Sequence, residues 1–386
     1  MTSEKFDAIV VGARCAGSST ARLLAQAGLR VLVLDKASFP SDTVSTHGIG
    51  PVGVQLLQRW GLLERILATD VPQEDSVGLK LGEDDMQMQI PPGAYAPICP
   101  RRIVLDDILV QAARAAGAEV REQATLREVT SEDGTVVGVR YSDRQDRLHD
   151  VRARLVIGAD GVSSLVAKAV KARQYNVRPS NVSFRYAYYS GIAVKRVEMA
   201  WSHPNFAYIF PTNGNLACMV GATDDATFSS YVAGGEQALL DLFAAASTRL
   251  ADALRCGKRE SRFYSYRRKP GRFVVPHGPG WALVGDAGYF KDPVTGQGIS
   301  DAFAGAQLLA DAVIAGFKDP TVMQESLAQY QDRRDELAAD AYKATQRLAS
   351  LDWTDADLPG IHSGYMPSPE KVAGLLGFSP VVRVRT

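Results

Sequence analysis

Glycine turns that follow short apolar runs let a backbone lie against phosphate, and the first comes almost at once. Gly12-Ala13-Arg14-Cys15-Ala16-Gly17 follows the run Phe6–Val11. A dinucleotide site needs a tight turn here, with backbone N–H groups at a helix N-terminus facing the pyrophosphate. Asp35, with Lys36 beside it, falls close to the ~20-residue offset of the carboxylate that binds a ribose hydroxyl. Arg14 stands where a second glycine ordinarily brings the backbone closest to phosphate. It either turns outward or adds positive charge beside the pyrophosphate. Two further turns share this design. Gly158-Ala159-Asp160-Gly161 follows Leu155–Ile157, and Gly285-Asp286-Ala287-Gly288 follows Trp281–Val284 and runs on to Pro293-Val294-Thr295-Gly296-Gln297-Gly298. Each sets Asp beside Gly just past a strand, where open α/β sheets bind ligands. One such pair is ordinary turn chemistry; three in this order are a signal.

The elements that must position these turns are legible from periodicity. Phe6–Val11 and Val31–Leu34 read as buried parallel strands, and residues 16–26 between them as a helix stopped by Gly28. That is a minimal βαβ unit. Residues 102–116 read as a second helix, and residues 119–157 as strands broken by turn signals. From about 178 to 276 the pattern is β-rich and aromatic. Residues 272–276 and 281–284 return to the style of parallel strands, and a long Ala-rich helix covers about 297–317. The C-terminal stretch begins helical at 325–348 and then carries Pro359, Gly360, Pro367, Pro369 and Pro380. The expected class is α/β with an α+β substrate region. Residues 1–70, 100–177 and 277–330 form a discontinuous Rossmann-like nucleotide domain. Residues 71–99 and 178–276 form an inserted β-rich substrate domain, and 331–386 a C-terminal helical segment.

Other side chains invite chemistry without fixing it. His47 follows the second strand and suits a general base for a phenol, or is a polar loop histidine bonded to backbone. Tyr186 and Tyr188 share one face of a strand, with Arg185 on the other. With Phe210, they line a substrate pocket or fill a core. Lys291 is either a ligand-side group of the third turn or a solvated loop charge. Cys15 is expected to pack under the phosphate turn. The four cysteines are scattered, without metal or CxxC spacing, and read as free buried thiols. The remaining histidines show no metal spacing.

Composition narrows the classes. Forty-three basic and 43 acidic residues cancel among 386, so no overall field draws the chain to nucleic acid or anionic membrane. No apolar run approaches the ~20 residues of a bilayer span, and the first strand is expected to leave no room for a signal peptide. The expectation is a cytoplasmic chain with no stable membrane insertion.

The four segments Gly12–Gly17, Arg102-x-x-Leu105-Asp106, Gly158–Gly161 and Gly285–Gly298 together resemble the FAD-dependent monooxygenases of the para-hydroxybenzoate-hydroxylase-like superfamily. That superfamily also holds geranylgeranyl reductases and flavin-dependent halogenases, and the resemblance spans roughly residues 6–317. It implies FAD, with Gly12, Ala13, Arg14 and Gly17 at the pyrophosphate turn, Asp35 and Lys36 at the adenosine ribose, and Arg102 near the pyrophosphate. It implies Gly285 and Asp286 at the ribityl chain, and Pro293, Gly296, Gln297 and Gly298 near the isoalloxazine. Asp160 and Gly161 belong to a motif tied to both FAD and NAD(P)H. The family often has Arg soon after that motif's serine, where this chain has Ala167 and Lys168. The resemblance implies an NAD(P)H-reduced enzyme of secondary metabolism that hydroxylates an aromatic or polycyclic small molecule with O₂, through a flavin hydroperoxide. A separate flavin reductase would serve if the chain does not reduce its own flavin. The alternatives are a reductase of carbon–carbon double bonds, then a halogenase, then a non-catalytic flavin module. Against the halogenase, the WxWxIP pattern is absent, with Tyr208-Ile209-Phe210-Pro211 in the comparable place.

Overall fold

Four strands run parallel and end level. Glu4–Val11 lies between Val31–Leu34 and Leu148–Gly158, and Trp281–Leu283 flanks Leu148–Gly158. Val11 pairs with both Leu34 and Gly158, and Gly158 with Leu283. The register therefore puts all three glycine turns and Asp35 on one edge of the sheet. Glu119–Arg121 extends it beyond Val31–Leu34, and Thr125–Glu132 and Thr135–Ser142 add an antiparallel pair beside Leu148–Gly158. Helices Cys15–Gln26, Arg102–Ala115 and Gly298–Lys318 bury apolar residues of one face, including Ala8, Val10, Val33 and Ile157. A separate cluster with Ile9, Leu32, Val156 and Val166 covers the other. Burial on both faces is why these strands read as unbroken apolar runs. The structure is a computed structural model that describes residues 4–91, 94–365 and 368–377; Pro367 and Pro380 lie outside the described residues.

A second sheet runs in the order Lys258–Arg259, Val182–Ser190, Leu216–Asp224, Asn205–Thr212, Val197–Ser202, Ser76–Leu81, Asp84–Gln89. Its pairings are antiparallel except between Val197–Ser202 and Ser76–Leu81. The region from 178 to 276 is less purely β than its aromatic pattern suggested. Helices Phe228–Ala233, Gly235–Ala246 and Thr248–Arg255 lie within it. Leu239, Leu242, Phe243 and Ala246 recur at helical spacing and pack behind the sheet. Residues 272–276 also depart from expectation. Gly271–Val274 is an antiparallel strand of a small third sheet with Gln174–Arg178 and Tyr289–Phe290. Phe273 is wedged among Tyr175, Tyr289 and Tyr342. Enclosure in this aromatic cluster, rather than parallel pairing, gave the stretch its apolar character.

Gly298–Lys318 is the one helix among the described residues long and apolar enough to cross a membrane, contrary to the sequence expectation of none. It is mostly buried, against Cys15–Gln26, Pro51–Arg59 and the long helix Met323–Ser350. Beyond that long helix, Trp353, Leu358, Ile361 and Tyr365 pack onto the aromatic face of the second sheet. Trp353 contacts Phe206 and His203, and its indole N–H donates to the Leu348 carbonyl at 2.7 Å. Trp353→Ala should therefore cost about 3–5 kcal/mol. Urea unfolding should show it as a lower midpoint at unchanged slope, and an unshifted midpoint would mean that the C-terminal segment does not share the core.

Candidate functional site

The nucleotide edge is closed by glycines that have no room for a side chain. Gly12 has φ +104°, and a Cβ there would stand 2.4 Å from the Ala159 carbonyl oxygen. A Cβ at Gly17 would stand 1.8 Å from the Gly12 oxygen, and one at Gly285 (φ +60°) 2.7 Å from Ala16. The first turn thus packs against the second and third. Backbone bonds continue the link, from Gly12 N to Leu34 O (2.8 Å), Ala159 N to Val11 O (2.8 Å) and Val284 N to Gly158 O (2.9 Å). Asp35 accepts from Ala13 N at 2.7 Å and from Ala37 N at 2.8 Å, with Lys36 exposed beside it. Asp160 accepts from the Ser164 hydroxyl and from the amides of Leu165 and Val166. Gly161 has φ +78° and open space around it.

Arg14 turns inward. Its guanidinium reaches the Asp106 carboxylate at 2.5 Å, and Arg102 grips the same carboxylate through two 3.0 Å bonds. Asp106 is fully buried, so two cations share one anion at the pyrophosphate turn. The surplus positive charge suits a diphosphate. Cys15 does pack beneath the turn, its thiol 3.4 Å from Asp106, and burial pushes its pKa up. Cys99 and Cys218 are also buried, whereas Cys256 is exposed.

The segment after Gly285 is denser than a solvated loop. Lys291 is buried and pairs with Asp301 at 2.9 Å and with the Gln297 side-chain oxygen, so it is not a solvated loop charge. Gln297 donates in turn to the Tyr365 carbonyl at 2.8 Å, which ties the C-terminal segment to this turn. Asp292 caps the 3₁₀ turn Pro293–Thr295 by accepting from Val294 N at 2.9 Å, and it also accepts from the Ser180 hydroxyl. Gly296 (φ +66°) and Gly298 have nothing within reach of a Cβ. The N-terminus of the 21-residue helix Gly298–Lys318 is therefore open on that side.

His47 meets this turn from the other side. It is fully buried at φ +65°, and a Cβ on its neighbour Gly48 would lie 3.2 Å from Gly296 O and 4.0 Å from the Phe210 ring. Its ring bonds to a side chain rather than to backbone, with Nε2 2.5 Å from the Tyr188 hydroxyl. Its Nδ1 has no protein partner. Burial first of all, then the Arg102 and Arg101 charges, push its pKa down to about 3, against an opposing pull from Asp42.

Tyr188 belongs to an ordered aromatic face. Across three neighbouring strands the register sets Tyr188 opposite Cys218 and Cys218 opposite Phe210. Tyr186, Val220 and Tyr208 form the next row, then Phe184, Ala222 and Phe206. Rings thus stand along both sides of a row of smaller residues; Trp353 packs into this aromatic trough at Phe206, and its Tyr188–Phe210 end lies at the Gly48–Gly296 contact. Tyr208 donates to the Val294 carbonyl at 2.7 Å and fastens the trough to the turn. Arg185 takes the opposite face, over the Phe263 ring.

The sequence reading missed Arg101, Asp42, Tyr264 and Asp292. Arg101 lies 4.5 Å from the Tyr188 ring centroid and pairs with Asp42 at 2.9 Å, while Tyr264 stacks on Tyr186. Only Asp292 had a sequence signal, an Asp before Pro at a turn start.

Asp286 and Asp292 both hold carboxyls raised from 3.8, to about 6 and about 7, by desolvation before anything else. For Asp286, Asp301 adds to the rise while Arg102, Arg272 and Lys269 oppose it. A raised carboxyl takes up a proton on folding, so its ionised form is a penalty present above pH 7. That penalty fades as pH falls through the folded values toward the unfolded one near 4. Flavin-free protein should gain stability from these groups between pH 8 and pH 5. Asp292→Asn should flatten that rise by up to about 3 kcal/mol. Urea unfolding at three pH values decides it, since a wild-type slope in the variant would contradict the assignment.

Residues 5–238 match the family described as FAD binding domain. The chain is 27% identical over 359 residues to digeranylgeranylglycerophospholipid reductase 2 of Methanopyrus kandleri, covering 90% of this chain and 86% of that protein. It is 28% identical over 350 residues to menaquinone reductase of Mycolicibacterium smegmatis, covering 84% and 82%. Among solved structures, flavin-dependent brominase Bmp2 superposes with a TM-score of 0.80 at 20% identity, over 97% of this chain and 93% of that one. PqsL of Pseudomonas aeruginosa, a probable FAD-dependent monooxygenase, superposes with a TM-score of 0.75 at 20% identity, over 97% and 100%. At that identity the structural likeness is one of fold. The family match covers more than half of the chain and takes in the first two glycine turns, Asp35 and Arg102; the Gly285–Gly298 turn lies beyond it. The chain belongs to this FAD binding domain family and is an FAD-dependent oxidoreductase.

Proposed function

We propose that the chain reduces a carbon–carbon double bond in a hydrophobic small molecule. The observation that carries this reading is the aromatic trough, whose Tyr188–Phe210 end meets the Gly296 turn and whose buried histidine is uncharged. An apolar, uncharged wall favours an apolar substrate. Hydroxylating a phenol calls for a base able to take a proton of pKa ~10. Burial holds His47 well below the range of such a base. The relatives at 27% and 28% identity are named as reductases, which adds support. A second reading, hydroxylation of an aromatic or polycyclic compound with O₂, draws on the same rings, which suit stacking against a flat substrate.

On this reading the division is 1–70, 100–177 and 277–330 for FAD, 71–99 and 178–276 for substrate, and 331–386 as a C-terminal segment covering part of the trough. The third sheet, with strands at 174–178, 271–274 and 289–290, is the seam between the first two. The open backbone at Gly161, Gly296 and Gly298 and the tight turns at Gly12 and Gly17 fit a dinucleotide laid along this edge. Gly12, Ala13, Arg14, Gly17 and Arg102 would hold the pyrophosphate, Asp35 and Lys36 the adenosine ribose, and Gly285 and Asp286 the ribityl chain. Pro293, Gly296, Gln297 and Gly298 would hold the isoalloxazine, and Asp160 and Gly161 would support both FAD and an NAD(P)H donor. FAD, when bound and reduced, would supply the hydride. Tyr186, Tyr188 and Phe210 orient the substrate and exclude water. Electrons come from NAD(P)H or from a separate flavin reductase.

Asp286→Ala should stay folded by circular dichroism yet lose most of its FAD absorbance, and full retention of flavin would count against the ribityl assignment. To separate the two reactions, we would reduce the holoenzyme without oxygen and add a panel of unsaturated compounds. Reoxidation with a product heavier by two hydrogens supports reduction. A reduced enzyme stable to the panel, yielding a product heavier by one oxygen only in air, would favour hydroxylation.

A further inference from the structure

We propose that Tyr188 is the proton donor of this reduction, that His47 and Arg101 position it, and that its substrate is a double bond polarised by a conjugated carbonyl. This rests on the reductase reading and adds a donor atom and a substrate class to it. Tyr188 is almost fully buried at the end of the trough that meets the Gly296 turn; its hydroxyl bonds to His47 Nε2 at 2.5 Å, and the Arg101 guanidinium also interacts with it. His47 and Tyr188 stack with ring centroids 5.6 Å apart, so the hydroxyl is held from the side and not merely touched.

Proton donation by Tyr188 requires one tautomer of His47. Nδ1 is buried and without a protein partner. With the ring proton on Nε2, Nδ1 is the ring's acceptor and the Tyr188 O–H is the donor left for a ligand. Nε2–H then donates to the Tyr188 oxygen, and the phenolic hydrogen is left free for the substrate. His47 keeps this tautomer in a left-handed backbone conformation (φ +65°), a strain of the sort that the surrounding packing must hold in place. Arg101 lies over the Tyr188 ring with its centroid 4.5 Å away, and it is anchored by Asp42 at 2.9 Å. Its cation is placed to stabilise the phenolate that proton donation leaves behind.

The donor's strength selects the substrate. A phenol with an ordinary pKa of ~10 is a weak acid, and burial makes this one weaker. Such a group cannot turn an isolated alkene into a carbocation, but it readily protonates a carbanion-like carbon next to a carbonyl. The atoms balance on that path. Hydride from the reduced cofactor forms the C–H bond at the β carbon, and the π pair shifts toward the α carbon and carbonyl. The second C–H bond forms at the α carbon as the Tyr188 O–H bond breaks. FAD leaves oxidised, and Tyr188 recovers its proton from solvent.

Citral and geraniol test this with one carbon skeleton, conjugated to a carbonyl in the first and not in the second. Anaerobically reduced wild-type holoenzyme should be reoxidised by citral and not by geraniol. In D₂O the product should carry one deuterium on the α carbon. Tyr188→Phe should slow reoxidation by citral roughly 10²–10⁴-fold, with FAD content and the rate of reduction by dithionite unchanged. In flavin-free wild-type protein, ¹⁵N NMR at pH 7 should find His47 neutral and protonated on Nε2, and that signal should move in Tyr188→Phe. Equal rates in the variant, or a proton on Nδ1, overturn the donor assignment. Geraniol consumed as fast as citral overturns the polarised substrate while the reductase reading stands. Reoxidation by neither compound overturns the reductase reading and this proposal with it.

Discussion

The contact of Gly12 with the carbonyl of Ala159 is the constraint on which the rest depends. Neighbouring parallel strands end level only if the turns that leave them can pass one another, and here the passage is too narrow for a methyl group. Gly17 lets the first helix close on the Gly12 carbonyl, and Gly285 lets the third turn close on Ala16. Once these backbones touch, the helix N-terminus, the Asp35 carboxylate and the Asp286 carboxyl have fixed relative positions before any ligand arrives. Preorganisation of this kind spares a cofactor the cost of ordering its own site.

From that edge outward the protein keeps two electrostatic environments apart. Around the nucleotide turn, charge is concentrated, with Arg14 and Arg102 on one buried Asp106 and Lys291 on Asp301. Around the trough, rings and small residues form the wall, and the buried histidine is neutral. The boundary runs through Pro293–Gly298, which Tyr208, Gln297 and Asp292 hold from three directions. Salt-bridged charge beside a low-dielectric wall is a stable arrangement only where every buried polar group has a partner. The Nδ1 of His47 is one of several buried side-chain atoms, Arg101 Nε among them, without a protein partner.

The nucleotide half was legible because its information is local. Val31–Leu34 was found to the residue, and the helices at 15–26, 102–115 and 298–318 to within a residue or two, since glycine stops and apolar runs mark their ends. The trough was not legible as a trough, because it exists only in the register among three strands. Nothing in the run Leu216–Val220 says that Cys218 will face both Tyr188 and Phe210. Helices 235–246 and 248–255 were hidden for a different reason. They sit in a region whose aromatic strands dominate the pattern and mask the helical spacing of Leu239, Leu242, Phe243 and Ala246. The inward turn of Arg14 required Asp106 to be in place, 92 positions away in the chain. Lys291 looked like a loop charge because its partner, Asp301, lies beyond the turn.

Fold fixes the cofactor here more firmly than the reaction, since the same scaffold supports reductases, halogenases and monooxygenases among this chain's relatives and structural neighbours. What separates such chemistries is the movement of protons. Electrons and oxygen are handled by the flavin in every case, and the protein's own contribution is to give or take a proton at one atom and to keep water away. A site that must remove a phenolic proton needs a basic group kept near neutrality. A site that must complete a reduced double bond needs a donor that stays protonated until a strongly basic carbon appears beside it. Burial, applied to His47 and Tyr188 together, weakens the histidine as a base and keeps the phenol protonated. On the reduction proposed above, the desolvation that makes the histidine a poor base is what would keep the tyrosine a donor.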